Sequence, residues 1–263
     1  MKKKTILISA ANSKLGFIIC QYLLERGYIV YAGIHKTSDK IKSLHKINLI
    51  EFDVTNKLIC KKAFDKIISK EGHIDVVINV AGATIAKQVT ESSEDELMQL
   101  FKINCASQLN INSLAFDFMK KQSDGGSIIN IISLSGLVSL PNFGIYSASK
   151  FAASALGQAA HYEFAKYKIK VVNIFPGAID FGSLSSANIV GHKTFRDKFP
   201  ILKYLLKMTT PEGVSQRIDS LIESHKNPIS VILGRDAFLV YIANKYSPES
   251  IWNKLVLYYW QKE

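Results

Sequence analysis

Short apolar runs alternate with longer amphipathic stretches along the first two-thirds of the chain. The runs at 5–8, 29–32, 49–52, 76–78, 128–132 and 170–175 are short and rich in Ile and Val, and read as buried strands. Between them, apolar residues recur at helical spacing over 15–25, 39–45, 57–70, 94–120 and 146–167, the fourth of these broken near Asn104. Such strand–helix alternation predicts a parallel α/β sheet with helices on both faces. Right-handed crossovers then make it doubly wound, with ligands bound beyond the strand C-termini. The pattern loosens after Phe175. Residues 176–210 carry few regular signals apart from a helix-like stretch at 195–208, and a segment of that size suits a lid or substrate loop. Thr210-Pro211-Glu212 marks a helix start with Pro in first position. Residues 229–233 read as a last strand. The tail at 251–260, rich in Trp, Tyr and Leu, is expected to pack as a core or dimer helix in preference to lying on a membrane surface.

Composition narrows this picture. The 263 residues are 48% hydrophobic, enough for one domain with a substantial core, and no internal repeat or linker divides them. No apolar run reaches the ~18 residues that a membrane-spanning helix needs. The start, Met1-Lys-Lys-Lys-Thr-Ile-Leu-Ile-Ser-Ala-Ala11, imitates a signal peptide, but its apolar part is short and Asn12 and Lys14 interrupt it, so it fits better as a first strand. Cys20, Cys60 and Cys105 are odd in number and lack metal-ligand spacing, which suits reduced cysteines in a cytoplasmic protein. The net charge of +11 comes from lysines scattered along the chain, apart from Lys2-Lys3-Lys4, and reads as solvated faces. No nucleic-acid motif is present. His192 and His225 have no partners that suggest a metal, His161 is expected at a surface or interface, and Asn130 is expected to be a structural hydrogen bonder inside its strand.

The candidate chemistry lies at the start of the last long helix. Tyr146 and Lys150 are one turn apart on one face, and a lysine so placed favours the phenolate form of the tyrosine. Tyr-x-x-x-Lys alone is weak, because it occurs also at Tyr162/Lys166, Tyr241/Lys245 and Tyr258/Lys262. Context separates them. Ser133 lies 13 residues before Tyr146 and closes a strand-like run, so strand end and helix start can meet; Ser149 lies 13 before Tyr162, but within one helix, ~20 Å away along its axis. A phenol, a lysine and a hydroxyl together suit the addition of one proton and one hydride to a carbonyl.

At the other end, the first strand runs through Ser9-Ala-Ala-Asn-Ser-Lys-Leu-Gly16 into a helix, a turn whose free N–H groups and helix dipole can cradle a phosphate. Through these residues the chain resembles the short-chain dehydrogenase/reductase family from Thr5 to about Glu223. The family's glycine segment falls on Ser9 to Gly16, its adenine-side Asp-Val on Asp53-Val54, its Asn-Asn-Ala-Gly on Asn79-Val-Ala-Gly82, its active-site Asn on Asn104, its Ser, Tyr and Lys on Ser133, Tyr146 and Lys150, and its Pro-Gly on Pro176-Gly177. Ala10 and Lys14 replace the first two family glycines, Val80 the second Asn, and Phe181 stands where a threonine often contacts the nicotinamide amide.

The resemblance implies a Rossmann-like single domain: a cofactor-binding and catalytic core over 1–175, a substrate loop over 176–210, and C-terminal helices with the last strand over 211–263. It implies a cofactor site formed by Asn12, Ser13, Lys14, Leu15, Gly16, His35, Lys36, Asp53, Val54, Asn79, Ala81, Gly82, Tyr146, Lys150, Pro176, Gly177 and Ile179. The second strand ends Ala32-Gly-Ile-His-Lys36-Thr-Ser38 with no carboxylate before Asp39, so His35, Lys36 and Lys14 favour NADP(H), with NAD(H) as the other option. By the same resemblance, Ser133 and Tyr146 bind a substrate carbonyl, Tyr146 is the general acid, Lys150 assists it and holds the nicotinamide ribose, and Asn104 anchors a water. The partners implied are a small carbonyl or alcohol substrate and a second or further copies of the chain, as a homodimer or homotetramer. An apolar, lipid-like ketone suits the aromatic tail. A 3-oxoacyl thioester is the main competitor, and a non-catalytic nucleotide-sensing or scaffolding protein on the same fold is the reading of another class.

Overall fold

The computed structural model describes residues 3–35, 39–181 and 207–260. Seven strands form one wholly parallel sheet: β1 Thr5–Ile8, β2 Ile29–Ile34, β3 Asn48–Glu51, β4 Val76–Asn79, β5 Gly126–Ile131, β6 Ile169–Pro176 and β7 Ser230–Leu233, in the spatial order β3-β2-β1-β4-β5-β6-β7. The order reverses between β1 and β4, where a doubly wound sheet opens a crevice for ligands at its carboxyl edge.

Alternation along each strand decides which helices pack on which face. Ile6, Ile8, Val30, Ala32, Val76, Ile78, Ile129, Val172 and Ile174 face one side, where they meet α1 Lys14–Glu25, the short α2 Asp39–Lys42 and, later in the chain, the helix Pro211–Glu223. Leu7, Tyr31, Val77, Ile128 and Val171 face the other side and meet α3 Lys57–Glu71, α5 Ser107–Met119 and α6 Gly144–Phe164. Both layers are sealed by side chains with almost no exposure, so the five inner strands bury both faces, as a parallel sheet requires, while the edge strands β3 and β7 are only partly covered.

The expected strands and long helices are present, with ends shifted by up to three residues. The anticipated break near Asn104 is a wide π-helical turn, Phe101–Ala106, between α4 Glu94–Leu100 and α5. α4 begins with a reciprocal capping box between Ser93 and Glu96. The predicted Pro-initiated helix is α7 Pro211–Glu223, capped by Thr210, whose hydroxyl accepts the Gly213 N–H. Two features differ from expectation. A helix not anticipated, α8 Arg235–Tyr246, follows β7. The tail helix, α9 Glu249–Trp260, is not part of the core: none of its side chains from 249 to 258 is buried. The predicted stretch at 195–208 and most of the predicted substrate loop lie outside the described residues.

Candidate active site

Nearly every residue singled out from the sequence follows a strand C-terminus, along the carboxyl edge of the sheet. After β1, Ser9 is fully buried and its hydroxyl accepts N–H bonds from Val80 (3.0 Å) and Ala81 (3.2 Å), which ties the loop after β4 to the loop after β1. Ala10 holds φ at 47°, in the left-handed region. An alanine there is strained by about 1–2 kcal/mol. The turn closes with Ser13 as N-cap of α1, its hydroxyl accepting the Gly16 N–H at 3.0 Å. Gly16 cannot carry a side chain in this geometry, since a Cβ would stand 2.3 Å from the Ala10 carbonyl oxygen and 2.9 Å from Ala11 Cα. Asn12, Ser13 and Lys14 are exposed at the lip of this turn, while Leu15 packs back onto the core. A turn packed this tightly at a helix N-terminus beyond a central strand has the form that receives a dinucleotide pyrophosphate.

The end of β2 carries His35, and Asp53-Val54 follows β3. His35 Nδ1 lies 3.6 Å from Asp53 Oδ2, and Asp53 Oδ1 accepts from the Thr55 N–H and hydroxyl at 2.9 and 2.8 Å. Burial works against the Asp53 carboxylate, but the Thr55 bonds and the charges of His35 and Lys102 outweigh it and hold the carboxyl below its usual range. His35 is therefore shared with an anion and does not stand in a purely cationic corner. Lys36, the other cation expected there, lies outside the described residues.

Asn79 ends β4 and starts a ladder of buried amides. Its Nδ2 donates to Asn112 Oδ1 (2.9 Å) and Asn130 Oδ1 (2.7 Å), and Asn130 Nδ2 donates to Asn173 Oδ1 (3.1 Å). Asn79, Asn130 and Asn173 are directly opposite one another on adjacent strands, so the chain of amides crosses the sheet. Asn130 is the structural hydrogen bonder expected from the sequence. His161 is less free than expected: its Nδ1 lies 2.8 Å from the Val171 carbonyl oxygen and ties α6 to β6.

The π turn turns Asn104 inward. The Asn104 amide exchanges two bonds with Ala83, accepting from its N–H at 2.8 Å and donating to its carbonyl at 2.9 Å, and donates also to Ser149 Oγ at 2.9 Å. Ser149 in turn donates to the Tyr146 carbonyl at 2.7 Å. The loop after β4, the π turn and the first turns of α6 are thus one hydrogen-bonded unit. Ser149 was not among the residues expected at the site. As a partner for Tyr162 it fails, because both lie on α6, but it links Asn104 to Tyr146.

Tyr146 and Lys150 occupy successive turns of α6. The Lys150 ammonium is 5.9 Å from the centre of the half-buried Tyr146 ring. It lies 3.1 Å from the point where a Cβ on Gly82 would stand, and that same point is 3.4 Å from Asn104 Oδ1. Lys150 is only 4% exposed. Burial pushes its pKa down from the usual lysine value, and the Tyr146 charge pulls it back up. Ser133 closes the strand side: it caps a short turn, Leu134–Gly136, through a bond from the Ser135 N–H to its hydroxyl at 3.1 Å. Gly136 brings that turn against α6, since a Cβ there would stand 2.9 Å from the Lys150 carbonyl oxygen. The strand end carrying Ser133 and the helix start carrying Tyr146 and Lys150 therefore meet, as the spacing implied. A hydroxyl, a phenol and a buried ammonium gathered at one sheet edge can bind a carbonyl oxygen and pass it a proton.

The last part of the edge was not legible from the sequence. Pro176 ends β6, and Gly177 and Ile179 follow. The buried carboxylate of Asp236, in the first turn of α8, accepts the Ala178 N–H at 2.8 Å and lies so close to Gly177 that a Cβ there would be 2.2 Å from Asp236 Oδ2. Ile179 pairs with Thr209 as a short parallel bridge. Among the described residues, no group of three His, Cys, Asp or Glu side chains could hold a metal ion.

Comparison with known proteins agrees with this fold. Residues 4–188 match the family model described as short chain dehydrogenase. A 3-ketodihydrosphingosine reductase from Bacteroides thetaiotaomicron is 35% identical over 189 residues, which is 72% of this chain and 69% of that protein. Among solved structures, a short-chain dehydrogenase from Streptomyces avermitilis superposes with a TM-score of 0.79 at 24% identity, covering 100% of this chain and 97% of that one. A short chain dehydrogenase from Burkholderia cenocepacia, solved in complex with NADP, has a TM-score of 0.79 at 24% identity, covering 97% and 98% of the two chains.

Proposed function

The chain belongs to the short-chain dehydrogenase family of oxidoreductases, and on that premise we propose that it reduces an apolar, lipid-like ketone or aldehyde to the alcohol with NADP(H), with Tyr146 as the proton donor. The observation that carries this reading is the hydrogen-bonded chain from Asn104 through Ser149 to the Tyr146 carbonyl, with the buried Lys150 ammonium 5.9 Å from the Tyr146 ring, beside the Ser133 turn.

Each residue has a task in this reading. The turn from Asn12 to Gly16 holds the cofactor diphosphate on the N-terminus of α1. Asp53 and Val54 border the adenine, and His35 and Lys36, with Lys14 from the turn after β1, receive the ribose 2′-phosphate. Asn79, Ala81 and Gly82 line the cofactor's path along the edge, and Pro176, Gly177 and Ile179 border the nicotinamide. The bound nicotinamide supplies the hydride. Ser133 and Tyr146 donate hydrogen bonds to the substrate oxygen, and Tyr146 gives up its hydroxyl proton as that oxygen gains charge. Lys150 stabilises the phenolate left behind and holds the nicotinamide ribose. Asn104, clamped to Ala83, anchors a water that returns a proton toward Lys150. Oxidation of the alcohol is the reverse, with Tyr146 as base.

The named relative from Bacteroides acts, by its name, on a long-chain keto amine, and supports the lipid-like substrate class at a third of residues identical. The NADP-bound structure from Burkholderia supports the cofactor. A calorimetric titration of the purified protein with NADPH and, separately, with NADH tests the cofactor assignment. The expected result is NADPH binding at least tenfold tighter, reduced by His35→Ala. Equal affinities, or tighter NADH, would remove NADP(H) from the proposal.

A further inference from the structure

The two C-terminal helices present an apolar surface that the fold does not use. Among the described residues, 14 large hydrophobic side chains are exposed, and seven of them (Phe238, Leu239, Tyr246, Ile251, Leu255, Leu257 and Tyr258) lie on α8 and α9. On α9, Ile251, Leu255 and Tyr258 follow one another at helical spacing along one face, with Ile251 57% and Leu255 41% exposed. From 249 to 258 the helix does not spend its apolar residues on the core, since only Trp252 and Val256 of that stretch are half-buried. Next to α8, at the end of β7, a groove of about 670 Å³ is lined by Met208, Ile232, Phe238 and Leu239, with Lys207 and Arg235 beside them.

Charge selects the occupant. The exposed charges on α8 and α9 are Arg235, Lys245, Glu249 and Lys254, the Asp236 carboxylate being buried, and Lys207 adds a further cation at the groove. A second copy seated here about a twofold axis would set a mostly cationic fringe against itself. An anionic bilayer meets the same fringe with opposite charge and takes up Ile, Leu and Tyr at the level of its headgroups. Lys245 suits that boundary: its ammonium donates to the Tyr241 hydroxyl at 2.9 Å and lies 5.4 Å from the centre of the Tyr246 ring, so the cation sits among aromatic side chains at the surface. No helix among the described residues is long and apolar enough to cross a membrane, so the contact is one of lying on the surface.

We propose that α8 and α9 form a peripheral membrane-docking face, which seats the protein on an anionic lipid surface with Ile251, Leu255 and Tyr258 inserted and Lys245 and Lys254 at the headgroups. This goes beyond the assignment of the catalytic site and is tested without activity. The full chain is sedimented with phosphatidylcholine vesicles with and without phosphatidylglycerol. The expected result is binding to the anionic vesicles alone, weakened by salt, weakened roughly thirtyfold by the pair Lys245→Ala and Lys254→Ala, and lost in the pair Ile251→Asp and Leu255→Asp. Circular dichroism and NADPH binding should be unchanged in all four substitutions, since these side chains are exposed. Absence of binding to either vesicle overturns the proposal, as does binding that survives the Ile251→Asp and Leu255→Asp pair. A dimer in light scattering that the same pair dissociates would also overturn it and assign the surface to a second copy of the chain.

Discussion

Tyr146→Phe is expected to lower turnover roughly a thousandfold or more while leaving NADPH affinity within a few-fold of the parent. The substitution removes one hydroxyl from a half-buried ring and leaves its packing against Phe143, at 6.2 Å between ring centres, in place. The bond from Ser149 to the Tyr146 backbone carbonyl does not involve the hydroxyl, so the helix start and the Asn104 clamp are preserved. Lys150 is not substituted and stays one turn away on α6, so the lost quantity is the proton donor alone. Single-turnover kinetics with saturating NADPH separate this from a binding defect: the hydride step slows and the cofactor titration does not move. Turnover near the parent level would remove Tyr146 from the mechanism.

The second large effect is on the turn that cradles the cofactor. Glycine-to-alanine inside a helix ordinarily stabilises by up to about 1 kcal/mol. At Gly16 the sign reverses, because the new methyl stands 2.3 Å from the Ala10 carbonyl oxygen and 2.9 Å from Ala11 Cα, both backbone atoms that cannot rotate away. Overpacking of that kind costs about 1–3 kcal/mol and more where the neighbour is rigid. Gly16→Ala should therefore lose about 2–4 kcal/mol in urea denaturation and bind NADPH at least tenfold more weakly, since the turn must open to admit the methyl. Ala10→Gly should do the opposite on a smaller scale. It relieves the positive φ of 47°, and the greater freedom of glycine in the unfolded chain offsets part of that gain. A Gly16→Ala protein as stable as the parent would show that the turn is looser than its contacts imply.

The sheet was legible because its physics is local. Ile and Val runs alternate with amphipathic stretches, and the alternation alone gives parallel strands buried on both faces, as at Ile6–Leu7–Ile8, whose side chains enter opposite cores. The break near Asn104 was legible for the same reason, since Asn interrupts the apolar spacing where the helix widens into a π turn. Other parts depend on contacts that no local pattern carries. Asp236 reaches Ala178 across 58 residues of chain, and nothing in Gly-Arg-Asp-Ala announces that the carboxylate will be buried there. Ser149 reads as one more helix residue until Asn104, 45 residues earlier, is seen to bind it. α8 was missed because its start at Gly234 has no side-chain cap and its apolar residues do not collect on one face. The expected packing of the tail followed from its hydrophobicity, which is real. What the sequence could not show is that the core is already closed by α1, α5, α6 and α7 and leaves α9 outside. Lys36 and residues 182–206 of the predicted substrate loop lie outside the described residues, and the sequence remains the basis for their assignment.

The central claim, that this edge of the sheet reduces a lipid-like carbonyl, is tested most directly by following NADPH oxidation with a long-chain 3-keto amine, a long-chain 3-oxoacyl thioester and a short soluble ketone. The account predicts turnover of the keto amine with NADPH, much slower turnover of the short ketone, and loss of both in Tyr146→Phe. Preference for the thioester would keep the chemistry and change the substrate. NADPH binding without oxidation across all three, or no binding at all, would contradict the enzymatic account and favour a nucleotide-sensing or scaffolding role on this fold.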